Sequence, residues 1–264
     1  MVPDELWALA EPLIPGFDPR PQGGGTTPVD DRAVLTAIVF VLTSGCSWRL
    51  LPPSFGVTVP TAYRRFSEWT KAGLWRRLHH AVLDELGSQG LIDWSRAVLD
   101  GASVRAKKGG SLTGPSPVDR GKPGSKIHVL SDRAGVPLSV AVSAANTNDA
   151  DALKPLIRAI PAIKFRRGLV GANPAKLHAD KAYDHAELRT WVRDRGITVR
   201  IARKGIETSK KLGKHRWVIE RSIAWLFGYR RLTIRYERYA NHFSAFLALA
   251  AALTCYKKLR KEAT

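Results

Sequence analysis

The feature that most restricts the fold of this chain is a change of hydrophobic period near residue 90. Before it, apolar residues recur at helical spacing: Leu6, Leu9, Leu13 and Ile14 over 4–14, then "VDDRAVLTAIVFVLTSG" (29–45) and "VTVPTAYRRFSEWTKAGLWRRLHHAVLDELG" (57–87). Acids in the first turn and Gly45 after the last bound the second of these helices, and Thr58 and Pro60 open the third segment. Beyond residue 90 come short runs rich in β-branched residues: 96–106, 125–132 and 136–145, the last two joined by the turn signal "DRAG". "NTNDADALKPLIRAI" (146–160) opens a helix with Asn148 as its cap, and "KLHADKAYD" (176–184) reads as a fourth strand. "HAELRTWVRDRG" (185–196) is a helix closed by Gly196, and "ITVRIA" (197–202) a fifth strand. Three strands, helix, strand, helix, strand, helix predicts a mixed α/β layer structure around one sheet over 91–264, behind a helical region over 1–90.

Charge narrows the partner. The chain of 264 residues carries a formal net charge of +19, and residues 197–264 hold sixteen Lys and Arg against four acids. An excess of this size is an electrostatic footprint for a polyanion, with nucleic acid first. An anionic membrane is the weaker reading, because the charge is spread over loops and several elements rather than one amphipathic helix. The longest apolar segment, "FSAFLALAAALTCY" (243–256), is too short to span a bilayer. Cys46 and Cys255 lie in apolar stretches and read as buried thiols, and the start has no secretory pattern, so a soluble intracellular protein is expected. In the helical region, a tight connection followed by a helix bearing Arg64 and Arg65 resembles a helix-turn-helix. "KKGGSLTGPSPVDRGKPGSK" (107–126) reads as a basic loop bringing Lys107 and Lys108 to DNA, or as a disordered one. It lacks the Gly-Lys-Ser/Thr ending of a phosphate-binding loop.

Three acids do not fit their surroundings. Asp100 follows the apolar run Ala97, Val98, Leu99, and Asp180 ends "KLHA" in the same way. Glu220 sits in the basic tail on a helix face shared with Arg216, Trp217, Ile223, Ala224 and Phe227. Burying a carboxylate without a partner is expensive. Each has a structural reading: a strand end, a helix cap, an ion pair with Arg216. Converging carboxylates are also what divalent magnesium requires, since it binds through one or two carboxylates plus water and phosphate oxygens. Asp93, Asp184 and Glu237 are the competing acids, read respectively as lying before the strand, capping the next helix, and making a surface ion pair.

"VLDGASVRA", "KIHVLSDRAGVPLSVAVSAANTNDADALKPLI", "HADKAYD" and "HRWVIERSIAWLFGYRRLTIRYER" resemble the blocks of bacterial DDE transposases of the insertion-sequence-5 family, within the insertion-sequence-4-like superfamily. "ELWALAEPLIP" and "VLTSGCSWRLLPPSFGVTVPTAYRRFSEWTKAGLW" resemble that family's amino-terminal region. The resemblance implies an α/β, ribonuclease H-like mixed five-stranded sheet flanked by helices, preceded by a small all-α, helix-turn-helix-like domain. It implies Asp100, Asp180 and Glu220 as the catalytic and metal-holding acids, with two Mg2+ ions and Mn2+ as an alternative. The implied activity is cleavage and strand transfer on double-stranded DNA, at element ends and target, by a homodimer or larger oligomer in the bacterial cytoplasm, associated with the nucleoid. The family's Tyr-Arg-Glu-Lys signature is kept at Arg216 and Glu220, but Gly213 and Phe227 stand where Tyr and Lys are expected, which puts hairpin-type cleavage in doubt. Lys214, Arg221, Arg230 and Arg231 are the substitute phosphate contacts. Trp225 and Tyr229 are candidates to stack DNA bases, while Trp217 and Phe227 are expected in the core. A retired DNA-binding derivative and a simple metal-dependent nuclease are the competing functions.

Overall fold

A computed structural model describes residues 2–16, 28–165, 168–170, 173–203 and 209–263, with side chains described for all but 168–170, 209–216 and 262–263 of these. Four helices come first: α1 (Asp4–Ala10), α2 (Asp31–Ser44), α3 (Val59–Lys71) and α4 (Leu74–Ser88). Their ends follow the expected chemistry. Asp30 caps α2 by accepting from the Arg32 and Ala33 amides, Gly45 closes it in the left-handed conformation, and Thr58 accepts from the Thr61 amide at 3.4 Å.

The strands are β1 (Ala97–Ala106), β2 (Gly114–Pro115), β3 (Pro123–Asp132), β4 (Pro137–Ala144), β5 (Ile163–Phe165), β6 (Gly168–Val170), β7 (Lys176–Ala179), β8 (Thr198–Ile201) and β9 (Ile234–Arg235). Between and after them run α5 (Leu153–Arg158), α6 (Ala186–Arg193), α7 (Ser209–Phe227) and α8 (Ala240–Ala263). The principal path is β4-β3-β1-β7-β8, in which β3 is antiparallel to both neighbours and β1, β7 and β8 are parallel. That is the ribonuclease H-like order. The expected five strands form this path, and two-residue β2 and β9 pair with β3 and β1 as well. The separate β5–β6 hairpin was not foreseen, because three-residue strands are too short to display a period.

Two expectations change in detail. The helix after β4 is a 3-10 turn over Asp149–Ala152, capped by Asn148, followed by the six-residue α5. The basic loop 107–126 is tied into the fold rather than disordered: the Lys107 amide donates to Arg235, the Ser111 amide to Arg238, and Gly114 pairs with Gly124.

One continuous core joins the helical region to the sheet. It runs from Val34, Ile38 and Phe66 through Leu78 and Val82 to Val98, Ile127 and the apolar length of α8. α8 packs on both α4 and β4, which explains why it is apolar around its circumference without being a membrane span. No helix among the described residues is long and apolar enough to cross a membrane. Of the two free thiols, Cys255 is buried and Cys46 only half-buried.

His79 of α4 is buried in this core, with Nε2 2.8 Å from the Pro137 carbonyl oxygen and 3.7 Å from Cys255 Sγ. Burial pushes its imidazole down to about 4, against the hydrogen bond to Pro137. The unfolded chain therefore binds a proton that the folded chain refuses. This contribution to stability is complete above about pH 6.5 and is lost as pH falls toward 4, by roughly 3 kcal/mol. Asp132, pushed up to about 6 by burial, acts in the opposite sense over pH 3.8 to 6. The expected result is that His79→Gln, which keeps a donor for Pro137, loses less stability than wild type between pH 7 and pH 4.5 in urea titrations.

Candidate active site

The register of two parallel strands sets the site. Leu99 of β1 lies opposite Ala179 of β7, so Asp100 and Asp180 each follow a paired position at the same end of neighbouring strands. β7 stops at Ala179 whereas β1 continues to Ala106, so Asp100 lies where its neighbour strand leaves the sheet. Asp100 is half-buried, and its Oδ1 accepts from the Gly101 amide at 2.8 Å. Asp180 turns out of the strand to cap the 3-10 turn Lys181–Tyr183, its Oδ1 accepting from the Ala182 amide at 2.7 Å. The fourth strand is thus shorter than "KLHADKAYD".

A third aspartate, Asp149, lies on the 3-10 turn that packs against the Lys181–Tyr183 turn. Its Oδ1 is 2.9 Å from Nζ of Lys126, a half-buried lysine on β3 that also donates to the Thr147 carbonyl oxygen. Tyr183 is fully buried here. Burial first, and then the charges of Asp149, Asp100 and Asp180, push its phenol far above the ordinary value, so the hydroxyl stays protonated. Among the described residues that hydroxyl has no hydrogen-bond partner. On β3, His128 bonds Ser143 Oγ through Nε2 at 2.8 Å, and burial holds its imidazole near 4, opposed by Asp149. Gly101 leaves room beside it: an added Cβ would lie 3.0 Å from His128 Nδ1 and 3.2 Å from the Ile127 carbonyl oxygen, so a larger residue would have to displace the imidazole. Sequence reasoning missed Asp149, Lys126 and Tyr183. "NTNDADA" announced a cap at Asn148, and nothing in one dimension marked the next residue as facing Tyr183.

Glu220 is placed differently from the other two acids. α7 packs on β1 and β3 through buried Ile219, Ile223 and Leu226, and Glu220 lies exposed on its other side with Trp217 and Ala224. It does not project from the buried stripe, contrary to the helical-wheel reading. Among the described residues no group of three or more acids, His or Cys is close enough to hold a metal ion. The register sets Asp100 and Asp180 at neighbouring positions of β1 and the end of β7, and Glu220 stands on the exposed side of α7. The competing acids have other partners: Asp93 with Arg133 at 3.4 Å and Asp184 with Arg189 at 2.7 Å, so Asp184 is an ion-pair partner and not the cap of α6.

Several basic candidates are also redistributed. Arg64 is exposed and pairs with Glu68 at 3.0 Å one turn on. Arg65 is buried, ion-paired with Asp31 and lying 5.6 Å over the Trp69 ring, so it cannot meet a phosphate. Arg231 is likewise buried, bonded to Glu237 and to the Cys46 carbonyl oxygen at 2.7 Å each. The Glu237 pair is therefore internal rather than a surface one. Arg221 is half-buried between Trp217 at 4.6 Å and Trp225 at 4.7 Å, and donates to the Ala134 carbonyl oxygen at 2.8 Å. This seats α7 on the β3–β4 hairpin, where Gly135 has φ +87° and an added Cβ would meet Ser222 Oγ at 2.8 Å. Trp217 is exposed and Tyr229 buried, the reverse of the expectation for both, while Trp225 remains partly exposed. Lys107, Lys108 and Arg230 are exposed. The Lys214 and Arg216 side chains lie outside the described ones.

A family model described as "Transposase DDE domain" matches residues 90–255, the span that contains all three proposed acids. The chain belongs to the DDE transposases. Residues 2–79 match a model described as "Putative transposase of IS4/5 family". The transposase is 47% identical over 149 residues to the "Putative transposase for insertion sequence element IS402" of Burkholderia cepacia, covering 56% of this chain and 71% of that one. A 16.2 kDa protein of the same element is 44% identical over 119 residues, covering 44% of this chain and 81% of that one. Among solved structures, the chain is similar to a piggyBac transposase synaptic complex with hairpin DNA, at 9% identity and a TM-score of 0.47, over 99% of this chain and 73% of that one. Similarity to a pre-cleavage Mos1 transpososome has 9% identity and a TM-score of 0.33, over 92% and 80%.

Proposed function

We propose that this transposase belongs to the insertion-sequence-5 group, binds the terminal inverted repeats of its element, and cuts and joins DNA strands with divalent metal at Asp100 and Asp180. The observation that carries the reading is the register that sets these two carboxylates one position past the last pair of the parallel strands β1 and β7. Two oxygen donors so placed suit a hard cation, magnesium first and manganese as an alternative. Glu220 of α7 is the third acid in this reading. When bound, two such ions supply charge neutralisation at the phosphate and activation of water or a 3′-hydroxyl.

The chain's own residues do the rest. The cap made by Asp180 fixes its carboxylate to the turn that ends β7, and Tyr183 keeps its proton, adding a donor rather than a charge beside the acids. Exposed Arg64, Lys107, Lys108 and Arg230 meet backbone phosphates, a contact that is charge-driven and weakened by salt. Two or more protomers hold the two element ends, and the enzyme works on nucleoid DNA in the bacterial cytoplasm, in keeping with its Burkholderia relatives.

The test is a duplex oligonucleotide carrying the element's end, incubated with magnesium or with EDTA. Nicking that leaves a 3′-hydroxyl, and transfer to target DNA, are expected with magnesium alone. Undiminished cutting in EDTA sinks the metal assignment, and cutting without preference for the end sequence makes the protein a simple nuclease. End binding without any cutting makes it a retired derivative.

A further inference from the structure

Away from the acids, a cavity of ≈ 670 Å³ opens between the helical region and the segment that leads into α8. Its size lies within the range of about 300–1,000 Å³ common for small-molecule sites. The lining combines two chemistries. Trp48, Tyr63, Tyr239 and His242 form a chain of rings in edge contact: Trp48 to Tyr63 at 5.6 Å, Tyr63 to His242 at 5.8 Å and His242 to Tyr239 at 5.5 Å. Tyr239 is 63% exposed and Tyr63 40%, so these two rings are presented to solvent, while Trp48 and His242 pack against Phe66 of the core. Burial holds the His242 imidazole below its ordinary value, which keeps it a neutral ring at neutral pH.

The second component is positive charge. Arg49, Lys108 and Arg238 line the cavity as exposed cations, and Glu237, the acid among its described lining residues, is paired with buried Arg231. Flat aromatic faces beside exposed cations, with the acid among the described lining residues already paired, suit a ligand that is planar at one end and anionic at the other. An unpaired nucleotide is such a ligand: its base stacks on the rings and its phosphates meet the cations. A paired base cannot enter, because its faces are covered by its neighbours in the duplex.

We propose that this cavity, built from the Trp48–Leu50 turn, α3, the turn after β1 and the start of α8, is a second DNA subsite that captures an unpaired nucleotide. It rests on the reading of the protein as DNA-binding. Its walls come from both sides of residue 90, so a nucleotide held there ties the helical region and the catalytic sheet to one stretch of DNA.

The test uses the full chain and two 20-bp duplexes of the same sequence, one fully paired and one with a single unpaired 2-aminopurine, read by anisotropy and by 2-aminopurine fluorescence. Wild type is expected to bind the unpaired duplex about tenfold more tightly and to quench its fluorescence by stacking. Tyr239→Ala, at an exposed position, should bring affinity down to that of the paired duplex and restore the fluorescence, while Tyr239→Phe should behave as wild type. Lys108→Ala should weaken both duplexes alike and lower the salt dependence. Equal wild-type affinities without quenching overturn the subsite and leave the DNA reading intact; binding to neither duplex overturns both. A Tyr239→Ala protein that keeps the preference also overturns it. So does free 2-aminopurine deoxyribonucleoside monophosphate, if it binds as tightly as the unpaired duplex, since the cavity would then be a site for free nucleotides.

Discussion

Asp100→Asn and Asp180→Asn are each expected to lower strand cleavage by roughly a thousandfold or more while leaving affinity for the element-end duplex within a few-fold of wild type. A metal that neutralises transition-state charge contributes several kcal/mol, and each 1.4 kcal/mol is a factor of ten. Asn is the informative replacement at 180. It can still accept from the Ala182 amide, so the turn that ends β7 survives, whereas Ala would also remove a cap worth about 1 kcal/mol. Glu220→Gln tests the third acid separately. Because Glu220 is exposed, where an ion pair is worth at most about 1 kcal/mol, this substitution should move the thermal midpoint little, so a large loss of cleavage reports chemistry rather than folding. A Glu220→Gln enzyme with wild-type cleavage rules Glu220 out as the third acid, and Asp149, beside Tyr183, is then the next carboxylate to replace.

The second large effect is on stability. Arg235→Met is expected to cost about 4 kcal/mol in urea unfolding and to expose the loop after β1 to trypsin at Lys107 and Lys108. Arg235 is completely buried and donates from every nitrogen of its guanidinium. Nε reaches the Glu237 carbonyl oxygen at 2.9 Å, Nη1 Ser125 Oγ at 2.6 Å and the Leu112 carbonyl oxygen at 3.0 Å, and Nη2 the Ser111 carbonyl oxygen at 2.6 Å. Met keeps most of the volume and gives up all five acceptors, the Arg238 carbonyl oxygen at 3.4 Å included, and those left without another donor bear their own desolvation cost. The loop carbonyls of Ser111 and Leu112 are among them, so the loss falls on the segment that carries Lys107 and Lys108. An Arg235→Met protein as stable as wild type, with the loop still resistant, would refute this account.

How far the chain could be read in one dimension differs from residue to residue. Strands β1, β3, β4 and β8 show a period of two or a continuous apolar run, and both signals survive in any tertiary setting. Asp100 and Asp180 were legible because an acid at the end of a buried run is costly wherever the run packs. Asp149 was not, because its neighbours Lys126 and Tyr183 come from other strands and turns. The cationic residues were the least legible. Arg64 and Arg65 are adjacent in sequence, yet one is solvated and the other buried against Asp31, 34 positions away. Arg230 and Arg231 repeat the pattern, the second reaching the Cys46 carbonyl oxygen across 185 positions.

By itself, then, the sequence determined the element order, the mixed sheet, the strongly basic character, and two carboxylates that follow buried apolar runs, because period, charge and the cost of burying an acid are local or additive properties. Only the tertiary structure decided which cations and rings face solvent, since that depends on partners distant in the chain. It turned Arg65, Arg231 and Tyr229 inward, left Trp217 exposed, set Asp149 beside Tyr183, and gathered Tyr63, Tyr239 and His242 around one cavity.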